Sequence, residues 1–310
     1  MRILRIVLCV VLLFIFIGTA CAQLTENEKA AVLLGQNFFV RPNITYKVAN
    51  NYQAKLDVYT PRRAQGPVPV VMMIHGGGWI AGDKEGGNLF VLPYLQMGFA
   101  VVNVEYRLGQ VSLAPAAVED CLCALHWVGR HAKEYGWDVN KVVVTGGSAG
   151  GHLALTTSMI PPTAGFENEC MWEDDPTWQG KFVDSRPKVA AVINWFGIAD
   201  VADMLQGPNA KGYAISWLGG QPNREELAKR LSPINYVRPG LPPILTIHGD
   251  DDKLVPYQQS VKLHELLTKA GVKNQLLTIP GKGHGNFTNE EQVQAFEAVR
   301  AFLVSVGVKQ

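Results

Sequence analysis

Short apolar runs alternate with amphipathic stretches along most of the chain. Continuous apolar runs bounded by glycine, proline or polar residues are typical of strands buried in a parallel sheet. Runs of this kind lie at residues 68–75, 100–105, 141–145, 189–196, 244–248 and 275–279. Residues 53–59 instead alternate between apolar and polar positions before Pro61, which predicts a further strand.

Helical patterns fill several of the intervals between these strands. Residues 114–133 have Pro115 in their first turn and Gly136 after their end, and residues 256–270 begin with proline and stop before Gly271. Proline at the start and glycine just past the end are common boundaries of helices. Both segments are therefore predicted to be helices.

Two more helices are indicated by their starts. One follows the glycine-rich segment 146–151 and runs to Met159, and the other opens with the capping box formed by Thr288 and Glu291. The second helix places four apolar residues on one face: Val293, Phe296, Val299 and Phe302. Strands that alternate with helices predict an α/β fold, with a mostly parallel central sheet and helices on both faces.

Two stretches interrupt this alternation. Residues 163–187 have no clear period and carry Phe166, Trp172, Trp178 and Phe182 among several acidic residues. Residues 197–240 read as short helices and loops. Because no linker or charge run divides the chain, we predict one domain, residues 23–310, with these stretches as a small cap or insert region.

The first 22 residues have a pattern of their own. Arg2 and Arg5 precede an apolar run of 12 residues at 6–17, and residues 20–22 (A-C-A) form a small-residue site. This arrangement is typical of a secretory signal peptide. We predict that residues 1–22 are cleaved off and that the mature protein is secreted or periplasmic.

Two alternatives apply to the same segment. An uncleaved membrane anchor is disfavoured because the apolar run is shorter than the about 20 residues that span a bilayer. Lipidation of Cys21, as in a lipoprotein, is favoured by the small residues 18–20. It is disfavoured because the leucine usual three places before such a cysteine is missing.

The charge balance narrows the choice of partners. The 310 residues include 28 Lys and Arg against 27 Asp and Glu, and loss of Arg2 and Arg5 with the signal peptide changes the net charge from +1 to −1. A near-neutral chain without a basic stripe lacks the electrostatic footprint of nucleic-acid binding and of attachment to anionic membranes. We expect no nucleic-acid partner and no stable membrane insertion after cleavage.

Three cysteines remain after cleavage: Cys121, Cys123 and Cys170. Cys121 and Cys123 lie two positions apart on a predicted helix and point to different faces, so we expect no bond between them. Either of them is a possible partner for Cys170. Without a second cluster of cysteine or histidine, no metal site is expected.

Chemistry in an open parallel sheet is expected in the loops at the carboxyl ends of its strands. One such loop holds the pattern G-x-S-x-G at residues 146–150, between a predicted strand and a predicted helix. Small flanking residues let the chain turn sharply and expose a serine hydroxyl, which makes Ser148 a candidate nucleophile.

Another loop reads H-G-G-G-W at residues 75–79. Its glycines allow backbone N–H groups to face an oxyanion, so Gly77, Gly78 and the N–H of Ala149 are candidate donors.

The remaining candidates follow two later strands. Residues 250–252 are three adjacent aspartates, any of which could orient a catalytic histidine; the others would serve as a solvated acidic loop at a helix start. His284 lies between glycines in the loop after the last strand, although an isolated loop histidine is more often only a surface residue. We expect His152 to pack behind the serine and His75 and His248 to hold loops by hydrogen bonds.

Taken together, these motifs resemble those of the α/β-hydrolase superfamily, and within it the H-G-G-G-W esterases. The matching group is the bifunctional feruloyl and acetyl xylan esterase-like proteins, neighbours of the hormone-sensitive-lipase-like esterases. The matching segments lie at residues 75–84, 102–108, 115–120, 146–154, 248–256 and 281–285. In the pattern H-G-x-x-D-x-x-V-P the family's acid falls on Asp252, which selects it among the three aspartates and gives the order Ser148, Asp252, His284.

The resemblance implies a serine esterase without metal or organic cofactor. Ser148 would attack the ester carbonyl, His284 would take the proton and Asp252 would hold the imidazole, with an acyl-enzyme as intermediate. The implied substrates are acetyl or feruloyl esters of plant polysaccharides. The aromatic insert 163–187 would cover the acyl pocket or stack on sugar rings, or else its tryptophans only anchor a lid.

Three other functions fit parts of the sequence less well. A prolyl-oligopeptidase-like peptidase fits residues 248–260, but such enzymes usually carry a large extra domain, and H-G-G-G-W favours esters. A dinucleotide-binding oxidoreductase fits the glycines at residues 76–81 and Glu105, but no helix opens there and Ser148 and His284 would be idle. A non-catalytic hydrolase-like binding protein would have no need of an intact triad.

Overall fold

The computed structural model describes residues 23–62, 64–170 and 185–309. The predicted signal peptide, residues 1–22, lies outside the described residues. So does most of the aromatic insert, including Trp172, Trp178 and Phe182.

The chain divides into two compact units, one ending at Asn37 and the other beginning at Phe38. The described part of the first unit is helix α1 (Glu26–Asn37), which buries no side chain. Thr25 and Glu28 cap its start, because the carboxylate of Glu28 accepts from the backbone N–H of Thr25 at 2.7 Å.

An eight-stranded sheet forms the centre of the second unit. Its strands are β1 (Phe38–Ala49), β2 (Tyr52–Pro61), β3 (Val68–Ile74), β4 (Ala100–Val104), β5 (Trp137–Gly147), β6 (Val189–Trp195), β7 (Ile244–Gly249) and β8 (Asn274–Ile279). They lie in the order β1-β2-β4-β3-β5-β6-β7-β8. Strand β2 is antiparallel to both neighbours and all other pairs are parallel. The predicted mostly parallel sheet is confirmed.

Helices cover both faces of this sheet. They are α2 (Leu92–Gln96), α3 (Ala116–Tyr135), α4 (Ala149–Met159), α5 (Gly212–Leu218), α6 (Arg224–Arg230), α7 (Tyr257–Lys269) and α8 (Asn289–Ser305). Alternate residues of β3 belong to two hydrophobic cores: Met72 faces the core shared with α3, α4 and α7, and Met73 faces the core shared with α2 and α8. This alternation follows from the two-residue period of a strand.

The predicted boundaries of the long helices hold closely. Helix α3 ends at Tyr135 and is followed by Gly136, which adopts a left-handed φ of 68°, and α8 begins with the capping box of Thr288 and Glu291. On the predicted apolar face of α8, Val299 and Phe302 are buried, whereas Val293 in the first turns is 59% exposed. The core contacts of α8 begin at Ala295 and Phe296, after its exposed first turn.

Strand β1 is an element that the hydrophobic pattern did not indicate. It is an edge strand with register shifts after Arg41 and Thr45, and most of its side chains are exposed. An exposed, bulged edge has no continuous apolar run and no regular alternation, so its sequence lacks both signals of a strand.

Cys123 and Cys170 form a disulfide, and Cys121 is a buried free thiol. The expectation that Cys121 and Cys123 do not pair with each other is confirmed. Within the residues that the structure describes, no group of His, Cys, Asp and Glu is arranged to hold a metal ion. None of the helices in these ranges has the length and apolarity needed to cross a bilayer.

Candidate active site

Ser148 stands at a sharp turn between β5 and α4. Its φ is 58°, in the left-handed region that a side chain rarely adopts, as expected of a nucleophile elbow. The turn brings the backbone very close to β3: a Cβ at Gly146 would lie 2.5 Å from the carbonyl oxygen of Ile74, and one at Gly150 would lie 2.2 Å from it. The two glycines of the motif are thus required by close packing.

The glycine loop after β3 points its backbone N–H groups in a defined direction. The carbonyl of Gly77 accepts from the N–H groups of Ile80 at 3.1 Å and Ala81 at 3.0 Å. Because N–H and C=O point opposite ways in a trans peptide, the N–H of Gly78 is turned away from these partners. Gly77 and Gly78 line the same cavity as Ser148.

The preceding peptide is oriented in the same way. The carbonyl of Gly76 accepts from the ring Nδ1–H of His75 at 2.8 Å and from the hydroxyl of Tyr106 at 3.3 Å, which directs the N–H of Gly77 to the opposite side. His75 stacks on Tyr106 with 4.2 Å between ring centroids. Burial lowers the pKa of His75 and so favours its neutral form. His75 therefore fixes this loop, as the sequence predicted.

The third candidate donor belongs to α4. The carbonyl of Ser148 accepts from the N–H of His152 at 3.0 Å and so starts the helix. The N–H of Ala149 points the other way, at the helix start, where backbone N–H groups have no partner inside the helix. This end of the helix also carries the positive end of its dipole.

A buried aromatic cluster packs behind the glycine loop. Trp79 has a φ of 61°, stacks on Trp217 at 4.2 Å and donates from Nε1 to His152 Nδ1 at 3.1 Å. His152 in turn donates from Nε2 to the carbonyl of Leu231 at 2.7 Å. Complete burial lowers the pKa of His152 to about 4, which keeps the ring neutral at neutral pH.

Asp252 is held by four N–H donors. Its Oδ1 accepts from the backbone N–H groups of Leu254 at 2.8 Å and Val255 at 3.0 Å. Its Oδ2 lies 2.7 Å from Nδ1 of His284 and 3.0 Å from Nε2 of His248. Burial by itself would raise the pKa of Asp252, but these hydrogen bonds outweigh burial and hold it well below its usual range.

The other two aspartates of this loop have different partners. Asp250 accepts from the backbone N–H of Gly281 at 2.6 Å and so ties the loop to the one that carries His284. Asp251 is exposed and forms an ion pair with Lys253. Neither contact involves a histidine, so Asp252 is the aspartate that meets His284.

His284 is half-buried in the loop after β8. Its Nδ1 carries the proton that it donates to Asp252, which leaves Nε2 of the neutral ring as an acceptor. The ring packs edge-on against Phe196 with 4.7 Å between centroids, and Phe196 also stands against Gly285. This packing limits rotation of the ring away from Asp252.

Ser148 and His284 line one cavity of about 790 Å³. On the side of α2 and α8 its walls are Met73, Tyr94, Trp195 and Phe296. On the other side they include Ile80, Tyr213 and Leu254. Because these side chains are apolar or aromatic, the described part of the cavity suits an apolar group next to the serine.

The structure brings Asp252 and His284 into contact and places Ser148, Gly77 and Gly78 around the same cavity. Sequence reasoning missed the side chains that support these loops, among them His248 as the second imidazole on Asp252 and Trp217 behind the glycine loop. His248 is the first residue of the segment that selected Asp252, so its position was visible but its partner was not.

Similarity to known proteins extends over most of the chain. A sequence model of the BD-FAE family matches residues 56–267. The probable carboxylic ester hydrolase LipM of Mycobacterium tuberculosis is 30% identical over 200 residues, which are 63% of this chain. The match covers 44% of LipM, and other curated relatives are matched over about half of their own length or less.

Two solved structures cover more of their own chains. Thermogutta terrifontis esterase 2 phosphoramylated by tabun is similar at a TM-score of 0.71 and 26% identity, over 88% of this chain and 96% of that one. A truncated form of a carbohydrate esterase from gut microbiota is similar at a TM-score of 0.70 and 30% identity, over 88% of this chain and 98% of that one.

Proposed function

Because the chain belongs to the BD-FAE family of α/β-hydrolase esterases, we propose that it is an exported serine esterase that hydrolyses carboxylic esters through an acyl-enzyme. The observation that carries this proposal is the 2.7 Å hydrogen bond between His284 and Asp252 beside the cavity that Ser148 lines. A serine on a strained turn, a histidine oriented by a carboxylate and a glycine loop are the parts that acyl transfer needs.

Ser148 Oγ attacks the ester carbonyl while Nε2 of His284 takes the hydroxyl proton. Asp252 keeps the proton of His284 on Nδ1 and stabilises the imidazolium that forms. His284 then gives the proton to the departing alcohol. Water then attacks the acyl group while His284 takes its proton. His284 returns that proton to Ser148, which frees the serine and releases the acid.

The developing oxyanion is stabilised by the N–H groups of Gly77, Gly78 and Ala149. Their carbonyl neighbours are turned away by hydrogen bonds inside the protein, so the donors are set before substrate arrives. A preorganised donor of this kind is typically worth about 2.7–4 kcal/mol in the transition state.

We assign acetyl or feruloyl esters of plant polysaccharides as the substrate class. Three observations support this assignment. The chain resembles feruloyl and acetyl xylan esterase-like proteins, one similar structure is that of a carbohydrate esterase, and a cavity of about 790 Å³ with apolar walls has room for an aromatic acid as well as acetate. Export through the segment 1–22 would bring the enzyme to polymers outside the cell.

The test of the reaction compares two serines of the same helix region. The purified protein is assayed with p-nitrophenyl acetate and treated with paraoxon, and the intact mass is measured. Ser148→Ala should lose several orders of magnitude of turnover and gain no phosphoryl group. Ser158→Ala is the control, because Ser158 Oγ bonds the carbonyl of Ala154 at 2.8 Å within α4. Equal activity of wild type and Ser148→Ala would show that Ser148 is not the nucleophile.

The substrate class needs its own series. Acetylated xylan, methyl ferulate, p-nitrophenyl butyrate and a peptide p-nitroanilide are compared by kcat/KM. The proposal expects acetylated xylan or methyl ferulate to be the best of the four. A preference for the anilide would favour a peptidase, and a preference for butyrate would remove the polysaccharide assignment while leaving the esterase in place. Fractionation of cells that express the full chain tests export.

A further inference from the structure

Asp252 has a second imidazole on the same oxygen atom as His284. Nε2 of His248 lies 3.0 Å from Oδ2, against 2.7 Å for Nδ1 of His284. An ionised carboxylate only accepts hydrogen bonds, so both ring nitrogens carry a proton and donate it. The side chains of His248 and Asp252 are both fully buried, so solvent does not compete for this bond.

Ser260 completes the environment of His248. Its Oγ lies 2.7 Å from Nδ1 of His248. With the donated proton on Nε2, Nδ1 can accept from the Ser260 hydroxyl, so both ring nitrogens have a partner without a second proton on the ring. Tyr257 packs edge-on against the ring with 5.5 Å between centroids.

The charge state of His248 matters for its neighbour. A positive His248 would share the single negative charge of Asp252 with the imidazolium that His284 becomes during the reaction. A neutral His248 donates a hydrogen bond and leaves that charge for His284. It also fixes Oδ2, since Oδ1 is already held by the backbone of Leu254 and Val255.

We propose that His248 is a positioning residue for ester hydrolysis. Held by Ser260, its imidazole keeps Oδ2 of Asp252 in line with Nδ1 of His284 and so keeps Nε2 of His284 directed at Ser148. This inference rests on the proposed function, because it assigns His284 the role of base.

The chain offers a matched control in His264, which lies on α7 as Ser260 does. His264 is also buried, and its two nitrogens lie 2.8 Å from Asn274 Oδ1 and 2.7 Å from Thr246 Oγ1. It neither contacts Asp252 through these bonds nor lines the cavity. Its replacement therefore removes a buried imidazole with two side-chain partners without altering the acid–base pair.

The experiment measures kcat and KM on p-nitrophenyl acetate for His248→Phe, His248→Gln and His264→Phe. For His248→Phe, kcat is expected to fall about 10–100-fold with little change in KM, the range for losing a hydrogen bond to a charged group. His248→Gln keeps an N–H donor and should recover most of kcat. His264→Phe should lower the unfolding temperature and leave kcat near wild type.

Stability is separated from positioning by a paired replacement. His248→Phe with Ser260→Ala replaces both partners by apolar groups and leaves no buried hydroxyl unpaired, so it should fold more readily than the single variant. If neither Phe variant folds, Ser260→Ala decides alone. It should lower kcat about 3–10-fold, as expected for loss of one hydrogen bond.

The proposal is overturned if a folded His248→Phe variant keeps kcat within about twofold of wild type. It is also overturned if His264→Phe lowers kcat as much as His248→Phe does. Where only Ser260→Ala can be measured, an unchanged kcat overturns it. Failure of the proposed function looks different, because the wild type would then be inactive or would match Ser148→Ala before any histidine is changed.

Discussion

Tyr213 donates a hydrogen bond from its hydroxyl to the carbonyl oxygen of Leu254 at 3.0 Å. The ring of Tyr213 also stands against Gly78, where an added Cβ would lie 3.0 Å from its side chain. Nearby, Lys211 Nζ donates to the carbonyl of Lys253 at 2.9 Å. The start of α5 thus joins the glycine loop to the loop that carries Asp252.

This link predicts a role for the Tyr213 hydroxyl in activity. Tyr213→Phe keeps the ring against Gly78 but releases the loop that carries Asp252, so kcat/KM on p-nitrophenyl acetate should fall about 3–10-fold, the equivalent of one hydrogen bond. Tyr236→Phe is the control, because the Tyr236 hydroxyl donates to the carbonyl of Arg230 at 2.7 Å within the same insert. Equal effects of the two changes on kcat/KM would show that the Tyr213 hydroxyl has no specific role in activity.

The close packing at the serine turn predicts a strong effect of one methyl group. In Gly150→Ala the Cβ would lie 2.2 Å from the carbonyl oxygen of Ile74, so the turn must shift. We expect the free energy of unfolding to fall by at least about 2 kcal/mol and esterase activity to be lost. Gly220→Ala, where nothing lies within 4 Å, should change neither. Denaturant unfolding and the p-nitrophenyl acetate assay check both variants.

Burial of His152 predicts a dependence of stability on pH. The unfolded ring takes up a proton near pH 6.5, whereas the folded ring resists protonation down to about pH 4. The unfolded state therefore binds more protons in this window, and the free energy of unfolding should fall by up to roughly 3 kcal/mol from pH 6.5 to pH 4.

His152→Gln isolates this contribution. Glutamine can accept from Trp79 and donate to the carbonyl of Leu231, but it does not titrate. Unfolding by denaturant at several pH values should give a flatter profile for the variant between pH 6.5 and 4. Parallel profiles would mean that His152 takes up its proton in the folded protein as easily as in the unfolded one.

The disulfide predicts a dependence on reductant. Cys123 and Cys170 lie 47 residues apart, and closing a loop of this size typically stabilises a protein by about 2–4 kcal/mol. A reductant should lower the unfolding midpoint of the wild type but not that of a variant with alanine at both positions. In protein cleaved after Ala22, denaturation without reductant should expose a single thiol, from Cys121. Three thiols before reduction would contradict the pairing.

Local patterns in the sequence predicted most of the fold. The buried parallel strands, the ends of α3 and α8 and the turn around Ser148 each depend on residues within a few positions of one another. Such features follow from the period of a strand or helix, from capping, and from the space that glycine leaves free. Strand β1 was not predicted because an exposed, bulged edge strand has neither a continuous apolar run nor a regular alternation.

Only the tertiary structure decided which distant residues meet. The sequence left both Cys121 and Cys123 as candidates to pair with Cys170. In the folded chain it is Cys123 that forms the disulfide with Cys170. His248 holds the loop after β7 as expected, but the sequence did not show that its partner there is the carboxylate of Asp252. Spacing alone did not separate the three adjacent aspartates; the family pattern selected Asp252, and in the structure it is Asp252 whose carboxylate meets His284.

The sequence by itself determined the order of the buried strands and long helices and the loops that carry Ser148, Gly77, Asp252 and His284. The tertiary structure determined the geometry among those loops and the two imidazoles on Asp252. The reason is physical: a local pattern reflects which side chains of a segment are buried and how its own backbone is hydrogen-bonded. Contacts between loops depend on strand order and on packing across the sheet, which no single segment encodes.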